Sequence, residues 1–282
     1  MSRVVVRAPI RRWTGETFVS RPDSVAGEEP LELRVDGRQV TLTMRTPGHD
    51  LDLVHGFLHA EGVLVTAADV SVARYCDGVD DEGRQTYNVL DVSLSPEVPA
   101  ERVADALSGA VRGFTTTSSC GVCGKSGIEA LHVRMRHPLP VAAPVFDPRL
   151  LARLPDLLRA RQQTFRRTGG LHAAALAAPD GTLSHVREDV GRHNAVDKVL
   201  GAALRAGELP AGGQALLTSS RASYELVQKA LMAGIAVLVA VSAPSSLAVQ
   251  LAAESGMTLV GFTRADGFNV YSAPERVAGA AG

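Results

Sequence analysis

The chain has 282 residues, enough for two modest domains or one large one with an ample core. A formal net charge of −1 with 21% charged residues excludes a general nucleic-acid binder, which would need clustered Lys and Arg, and 45% hydrophobic with only 4% aromatic residues implies an aliphatic core. Three cysteines (Cys76, Cys120 and Cys123) are too few for a disulfide framework and fit a reducing compartment. No apolar run has the length of a signal peptide or membrane span, so a cytoplasmic protein away from membranes is expected.

The opening residues, MSRVVVRAPIRRWTG, hold too short an apolar run, interrupted by arginines, for a signal peptide. Leu31, Leu33 and Val35 alternate with polar residues, Asp36-Gly37 follows, and Val40, Leu42 and Met44 alternate again, which predicts a hairpin. A helix is predicted from Asp50 to the stop at Gly62, with Leu51, Val54, Phe57 and Leu58 on its apolar face. Strands follow at 70–75 and 87–94, then a helix over 101–111. Residues 115–127, TTTSSCGVCGKSG, have no periodicity and read as a loop. Pro138, Pro140 and Pro144 mark a linker. Asp147-Pro148 opens a helix as N-cap and first-turn proline; the basic stretch Arg159 to Arg167 beyond it reads as a solvated helix face.

From there strands and helices alternate. Strands are predicted at 171–178, 182–187, 215–218, 235–241, 258–263 and 268–271, and helices at 194–205, 222–232 and 247–254. The continuous apolar run 235–241 reads as a strand buried on both faces. This pattern predicts a layered α/β domain over 145–282 with a mixed, largely parallel sheet, beside a smaller N-terminal α+β part over 1–137 that ends in the cysteine loop.

Four constellations carry candidate chemistry. In Cys120-Gly-Val-Cys123 two thiols can exchange disulfides, bind metal or hold a persulfide, and Lys125 favours the thiolate a sulfur-transfer nucleophile needs. Half a zinc site is the competing reading, completed through a dimer or by His172 and His193, although no second Cys-x-x-Cys exists. A thioredoxin-type role lacks the strand-to-helix context. A phosphate loop fails because position 119 is serine. The second constellation, Glu188 to Lys198, sits where a strand hands over to a helix, so His193, Asp197 and Lys198 could orient a cofactor or phosphate; ordinary capping and surface ion pairs are the alternative. The third, Thr218-Ser219-Ser220-Arg221 and Ser242 to Ser246, opens two helices whose N–H groups could hold a diphosphate or simply be capped by serine. In the fourth, Phe262 to Gly267, Arg264 could pair with phosphate and Asp266 with a guanine edge. His172 echoes the zinc deaminases, but Ala174 stands where their glutamate would be, which excludes deaminase chemistry.

TTTSSCGVCGK, TGGLHAAAL, EDVGRHNAVDK, LLTSSRASYELVQKA and VSAPSSLA, in this order from about Thr46 to Tyr271, resemble the formate dehydrogenase accessory sulfurtransferase family, FdhD. The resemblance implies a cytidine-deaminase-like fold without deaminase chemistry, in a cytoplasmic homodimer. It implies sulfur transfer from a cysteine desulfurase to the molybdenum bis-guanine-dinucleotide cofactor that formate dehydrogenase requires. Cys120 would carry the persulfide with Cys123 as its partner. Phe262, Thr263, Arg264, Ala265, Asp266 and Gly267 would bind the cofactor, assisted by Ser219, Arg221, His193 and Lys198, with no permanent metal. Two rival functions stay open: a non-catalytic chaperone of the cofactor or the dehydrogenase, and a zinc-binding regulatory module.

Overall fold

The computed structural model describes residues 4–76, 78, 83, 85–107, 139–140 and 144–281. Its first element has no counterpart in the sequence reading: β1 (Val5–Trp13) and β2 (Phe18–Ala26) form an antiparallel hairpin closed by Thr14 and Thr17. Its strands carry arginine and proline where a buried strand would carry aliphatics, which is why no strand signal shows.

The predicted second hairpin forms as β3 (Glu29–Val35) and β4 (Arg38–Arg45), with Asp36 and Gly37 both at positive φ, as a tight two-residue turn requires. Helix α1 (Asp50–Ala60), β5 (Val70–Tyr75), β6 (Val89–Leu94) and α2 (Ala100–Leu107) follow. The sheet order is β4-β3-β6-β5. Leu31, Leu33, Leu53, Val54, Leu58, Leu90 and Val92 fill the space between this sheet and α1.

In the C-terminal part Asp147 caps α3 (Pro148–Arg161): its Oδ1 accepts from the N–H groups of Arg149, at 2.7 Å, and Leu150, at 3.3 Å. Then come α4 (Gln163–Thr168), β7 (His172–Ala177), β8 (Leu183–Asp189), α5 (Arg192–Arg205), β9 (Ala215–Thr218), α6 (Tyr224–Met232), β10 (Val237–Ala240), α7 (Ser246–Glu254), β11 (Thr258–Arg264) and β12 (Gly267–Ser272). The order is β12-β11-β10-β9-β7-β8. Period-2 alternation splits the core: Ala174 and Leu176 face α5, α6 and α7, whereas Ala173, Ala175 and Ala177 face Leu151, Leu154 and Leu158 of α3. The layering is α/β/α, as expected.

The sheet is mixed but not largely parallel. Only β9–β10 and β10–β11 run parallel; β7–β8, β7–β9 and β11–β12 are antiparallel. The turns at 178–182 and 264–267 are too short for a crossover, so each forces an antiparallel pair. The β8–α5–β9 connection then carries the chain across β7, leaving β7 antiparallel to both neighbours.

The two parts meet along α1 and α5. A Cβ on Gly56 would collide with the backbone of Asp197, and one on Gly201 with the backbone of Asp52 and Gly56, so the two helices touch main chain to main chain. Buried charge locks this seam. Asp52 accepts from Arg187, at 2.8 Å, and from Arg205, at 2.5 Å. Burial alone would raise its pKa, but His49, Arg187 and Arg205 outweigh that and hold it well below the usual carboxylate range.

Candidate functional site at the sheet edge

The parallel run β9, β10 and β11 ends at one edge of the large sheet, and the helices α5, α6 and α7 begin there. Because β7 is antiparallel to β9, its first residue, His172, and the last residue of β8, Asp189, lie at the same edge. This brings together most of the residues singled out from the sequence. Short backbone bonds tie the connecting loops: Ser245 N to Ala222 O at 2.9 Å, Ser242 N to Ser220 O at 3.3 Å and Phe262 N to Ser242 O at 3.2 Å.

His193, in the first turn of α5, places Nε2 2.8 Å from Oε2 of Glu225 and 3.2 Å from the Ser223 hydroxyl. Glu225 and Ser223 were not singled out in the sequence, because a partner on another helix leaves no mark in local spacing. His172 has its pKa lowered, first by burial and then by the positive charge of Arg192 and by His193. Arg192 itself keeps a buried Nε with no hydrogen-bond partner among the described residues. The Ser219 hydroxyl accepts from Ala173 N at 2.9 Å and so clamps β9 to β7. The Ser245 hydroxyl accepts from Ala248 N at 3.2 Å and caps α7. Arg221 is exposed, with no ion-pair partner among the described residues.

Lys198, expected to orient a cofactor, lies directly beneath the edge residue Asp189, with its ammonium buried rather than presented to solvent. Five residues after His193, it is rotated about 140° around the helix. Its side chain is 1% exposed and its Nζ sits 2.7 Å from Asp189 Oδ2 and 2.8 Å from Thr46 O. Asp197 also turns inward, 2.6 Å from Nζ of Lys229. Burial works against the Lys229 ammonium, but Asp197, Glu61 and Glu225 outweigh it and hold the pKa above the ordinary lysine value.

The segment 262–267 spans the end of β11 and its turn into β12. Phe262 adopts φ 53°, a costly conformation for a residue with an aromatic side chain, and stands 41% exposed. Gly261 before it is closely packed: a Cβ would lie 3.0 Å from Pro244 Cδ and 3.1 Å from the Tyr271 ring, so both would have to shift to admit it. Thr263 alone points inward, donating to Ala240 O at 2.9 Å. Phe262, Arg264, Asp266, Gly267, Phe268 and Asn269 line an open cavity of about 530 Å³. Ala265 sits exposed in the turn, and neither Arg264 nor Asp266 has a side-chain partner among the described residues.

Cys120, Cys123 and the segment holding them lie outside the described residues. Cys76 is a half-buried free thiol at the end of β5, its N–H bonded to Val89 O at 2.9 Å. Among the described residues no three His, Cys, Asp or Glu side chains converge as metal ligands, and no helix is long and apolar enough to cross a membrane.

Fold and edge together define a layered α/β protein with a polar, aromatic-flanked sheet edge built from strand ends and helix N-termini. The chain belongs to the FdhD/NarQ family, whose model matches residues 26–278. It is similar to proteins named sulfur carrier protein FdhD: one from Nocardia farcinica is 52% identical over 275 residues, covering 98% of this chain and 95% of that one. Another, from Streptomyces coelicolor, is 53% identical over 279 residues, covering 99% and 97%. A crystal structure described as a formate dehydrogenase accessory protein from Desulfotalea psychrophila shares the fold, with a TM-score of 0.72 at 23% identity, covering 98% of this chain and all of that one.

Proposed function

We propose that this protein is a sulfurtransferase that carries sulfur as a persulfide on Cys120, taking it from a cysteine desulfurase and delivering it to the molybdenum bis-guanine-dinucleotide cofactor of formate dehydrogenase. The observation that carries this reading is the identity of 52% or more, along almost the whole chain, to proteins named sulfur carriers. In the loading step the Cys120 thiolate attacks the outer sulfur of the donor persulfide. A new S–S bond forms at Cys120, the donor S–S bond breaks and the donor cysteine leaves as a thiolate, so no external oxidant or reductant is needed. Cys123 is the partner thiol, and Lys125 favours the thiolate.

The sheet edge fits the proposed acceptor chemically. An exposed aromatic ring at Phe262 suits stacking on a guanine base, Asp266 can accept from a guanine edge, and Arg264, Arg221 and the helix N-termini suit phosphate. The bound cofactor would supply the metal that receives the sulfur; the chain's own residues bind and orient its nucleotide ends. The fold under this reading is deaminase-like, and the working form is a cytoplasmic homodimer.

The test is intact mass and peptide mapping after incubation with a cysteine desulfurase and cysteine. Reductant-labile added sulfur on the Cys120 peptide, lost in Cys120→Ala, is the expected result. A protein that still activates formate dehydrogenase after loss of both Cys120 and Cys123 would instead be a cofactor chaperone, and unmodified cysteines with stoichiometric zinc would mark a regulatory metal site.

A further inference from the structure

Around the start of α5 the acids are already engaged. Asp189 holds Lys198 at 2.7 Å, Asp197 holds Lys229 at 2.6 Å and Glu225 holds His193 at 2.8 Å. Arg192 is the charge left over. It is the first residue of α5 and lies close enough to His172, at the start of β7, to lower that residue's pKa. Among the described residues it has no ion-pair or hydrogen-bond partner, and its Nε is buried.

Three physical arguments count against a cation in that place. A guanidinium cannot relieve its burial by losing a proton, as a lysine or histidine can. The start of a helix carries partial positive charge and disfavours another positive group. The exposed Arg221 and Arg264 are open to hydration, whereas Arg192 Nε is closed off from solvent. A residue that goes against its local electrostatics, with nothing inside the chain to compensate, marks a position set by function.

The surroundings of Arg192 suit an anion. His172 is held neutral by burial and by the charges of Arg192 and His193, so it offers a ring N–H without repelling the guanidinium. Gly191 leaves α5 without a side-chain cap, and the Ser223 hydroxyl at the start of α6 lies against His193 and does not cap its own helix; Ser245, by contrast, caps α7. In the order β11-β10-β9-β7, Phe262 on β11 and His172 on β7 are three strand spacings apart, about 14 Å. A nucleotide lying across the strand ends with its base on Phe262 would run its phosphates past Arg221 towards Arg192.

We propose that Arg192, with His172, is a diphosphate seat, separate from the cavity lined by residues 262–269. A diphosphate is the link inside a dinucleotide, so this assignment deepens the cofactor reading above and rests on it.

The test measures binding of guanosine, GDP and inorganic diphosphate to the purified full chain by calorimetry in metal-free buffer. The wild type should bind GDP about tenfold or more tighter than guanosine. Arg192→Met should bring GDP down to the affinity of guanosine, leave guanosine binding unchanged and abolish diphosphate binding; His172→Ala should reduce the preference for GDP in the same direction. Without nucleotide, Arg192→Met should melt no lower than the wild type, because it loses no bond. A preference for GDP that survives in Arg192→Met overturns the proposal, and so does one lost only in Arg221→Met, which would give the phosphates to the exposed edge. An Arg192→Met protein that melts lower and loses guanosine as well would make Arg192 structural and also overturn it. Diphosphate bound through Arg192, with neither guanosine nor GDP bound, supports the seat and sinks the guanine reading; guanosine bound by a wild type with no preference for GDP does the reverse.

Discussion

Replacing Lys198 by methionine isolates the ion pair at the seam. The Lys198 and Asp189 side chains are 1% and 0% exposed. Besides Lys198, Asp189 accepts from Thr46 N at 3.1 Å, Gly191 N at 2.8 Å and Asn194 Nδ2 at 3.2 Å. Methionine keeps most of the apolar stem, lacking only the ammonium end, and leaves the carboxylate without a cation and Thr46 O without a donor. Removing one partner of a buried pair costs about 3–5 kcal/mol, which for a chain of this size lowers Tm by about 10 °C. Lys198→Met/Asp189→Asn removes both charges and should be more stable than Lys198→Met alone, a coupling that a double-mutant cycle reads directly. The assay is urea and thermal unfolding followed by circular dichroism. A loss below about 1 kcal/mol in Lys198→Met, or a double variant no better than the single, would refute the buried-pair argument. A folded Lys198→Met that loses only guanine-nucleotide affinity would restore Lys198 to the sheet edge.

Phe262→Ala should weaken GDP binding, measured by calorimetry, by about 1–3 kcal/mol with the fold intact; unchanged affinity would remove stacking at that ring. Gly56→Ala and Gly201→Ala should each cost about 1–3 kcal/mol or more, since the side chain meets backbone that cannot rotate away; wild-type unfolding curves would contradict the close helix contact. Stability should also fall on mild acidification. Burial lowers the pKa of both His55 and His172. The unfolded chain therefore binds more protons than the folded one just below the ordinary histidine value, and stability drops as pH falls through about 6.5. Asp52, with its folded pKa depressed, adds a further loss as pH falls below about 4. A flat profile from pH 7 to 5.5 would refute the histidine contribution.

Legibility in the sequence followed the range of the interactions. Local signals read well: the Asp36-Gly37 turn, the Asp147-Pro148 helix start and the strand at 215–218 sit where periodicity and turn chemistry put them. Strand direction did not, because a parallel and an antiparallel neighbour leave the same apolar pattern; only the lengths of the connections, at 178–182 and 264–267, distinguish them. At the edge, His193, Arg221 and the 262–267 segment were visible as polar residues at helix starts and strand ends. Glu225 was not, since its meaning lies in a histidine 32 positions earlier on another helix. Lys198 misled for a related reason: a charged residue near a helix N-terminus looks solvent-facing until the N-terminal part of the chain covers it. The β1–β2 hairpin escaped because it has no core to bury, and burial is what hydrophobic periodicity records.

The seam between α1 and α5 also sets an order on synthesis. Asp52 emerges from the ribosome 135 residues ahead of Arg187, and Thr46 152 residues ahead of Lys198. Until the second half arrives, the first half presents a helix with bare glycine backbone and a carboxylate still without its two arginines. A nascent chain halted before α5 would therefore be a substrate for chaperones and proteases rather than a folded domain awaiting its partner, and only the completed chain would escape that surveillance.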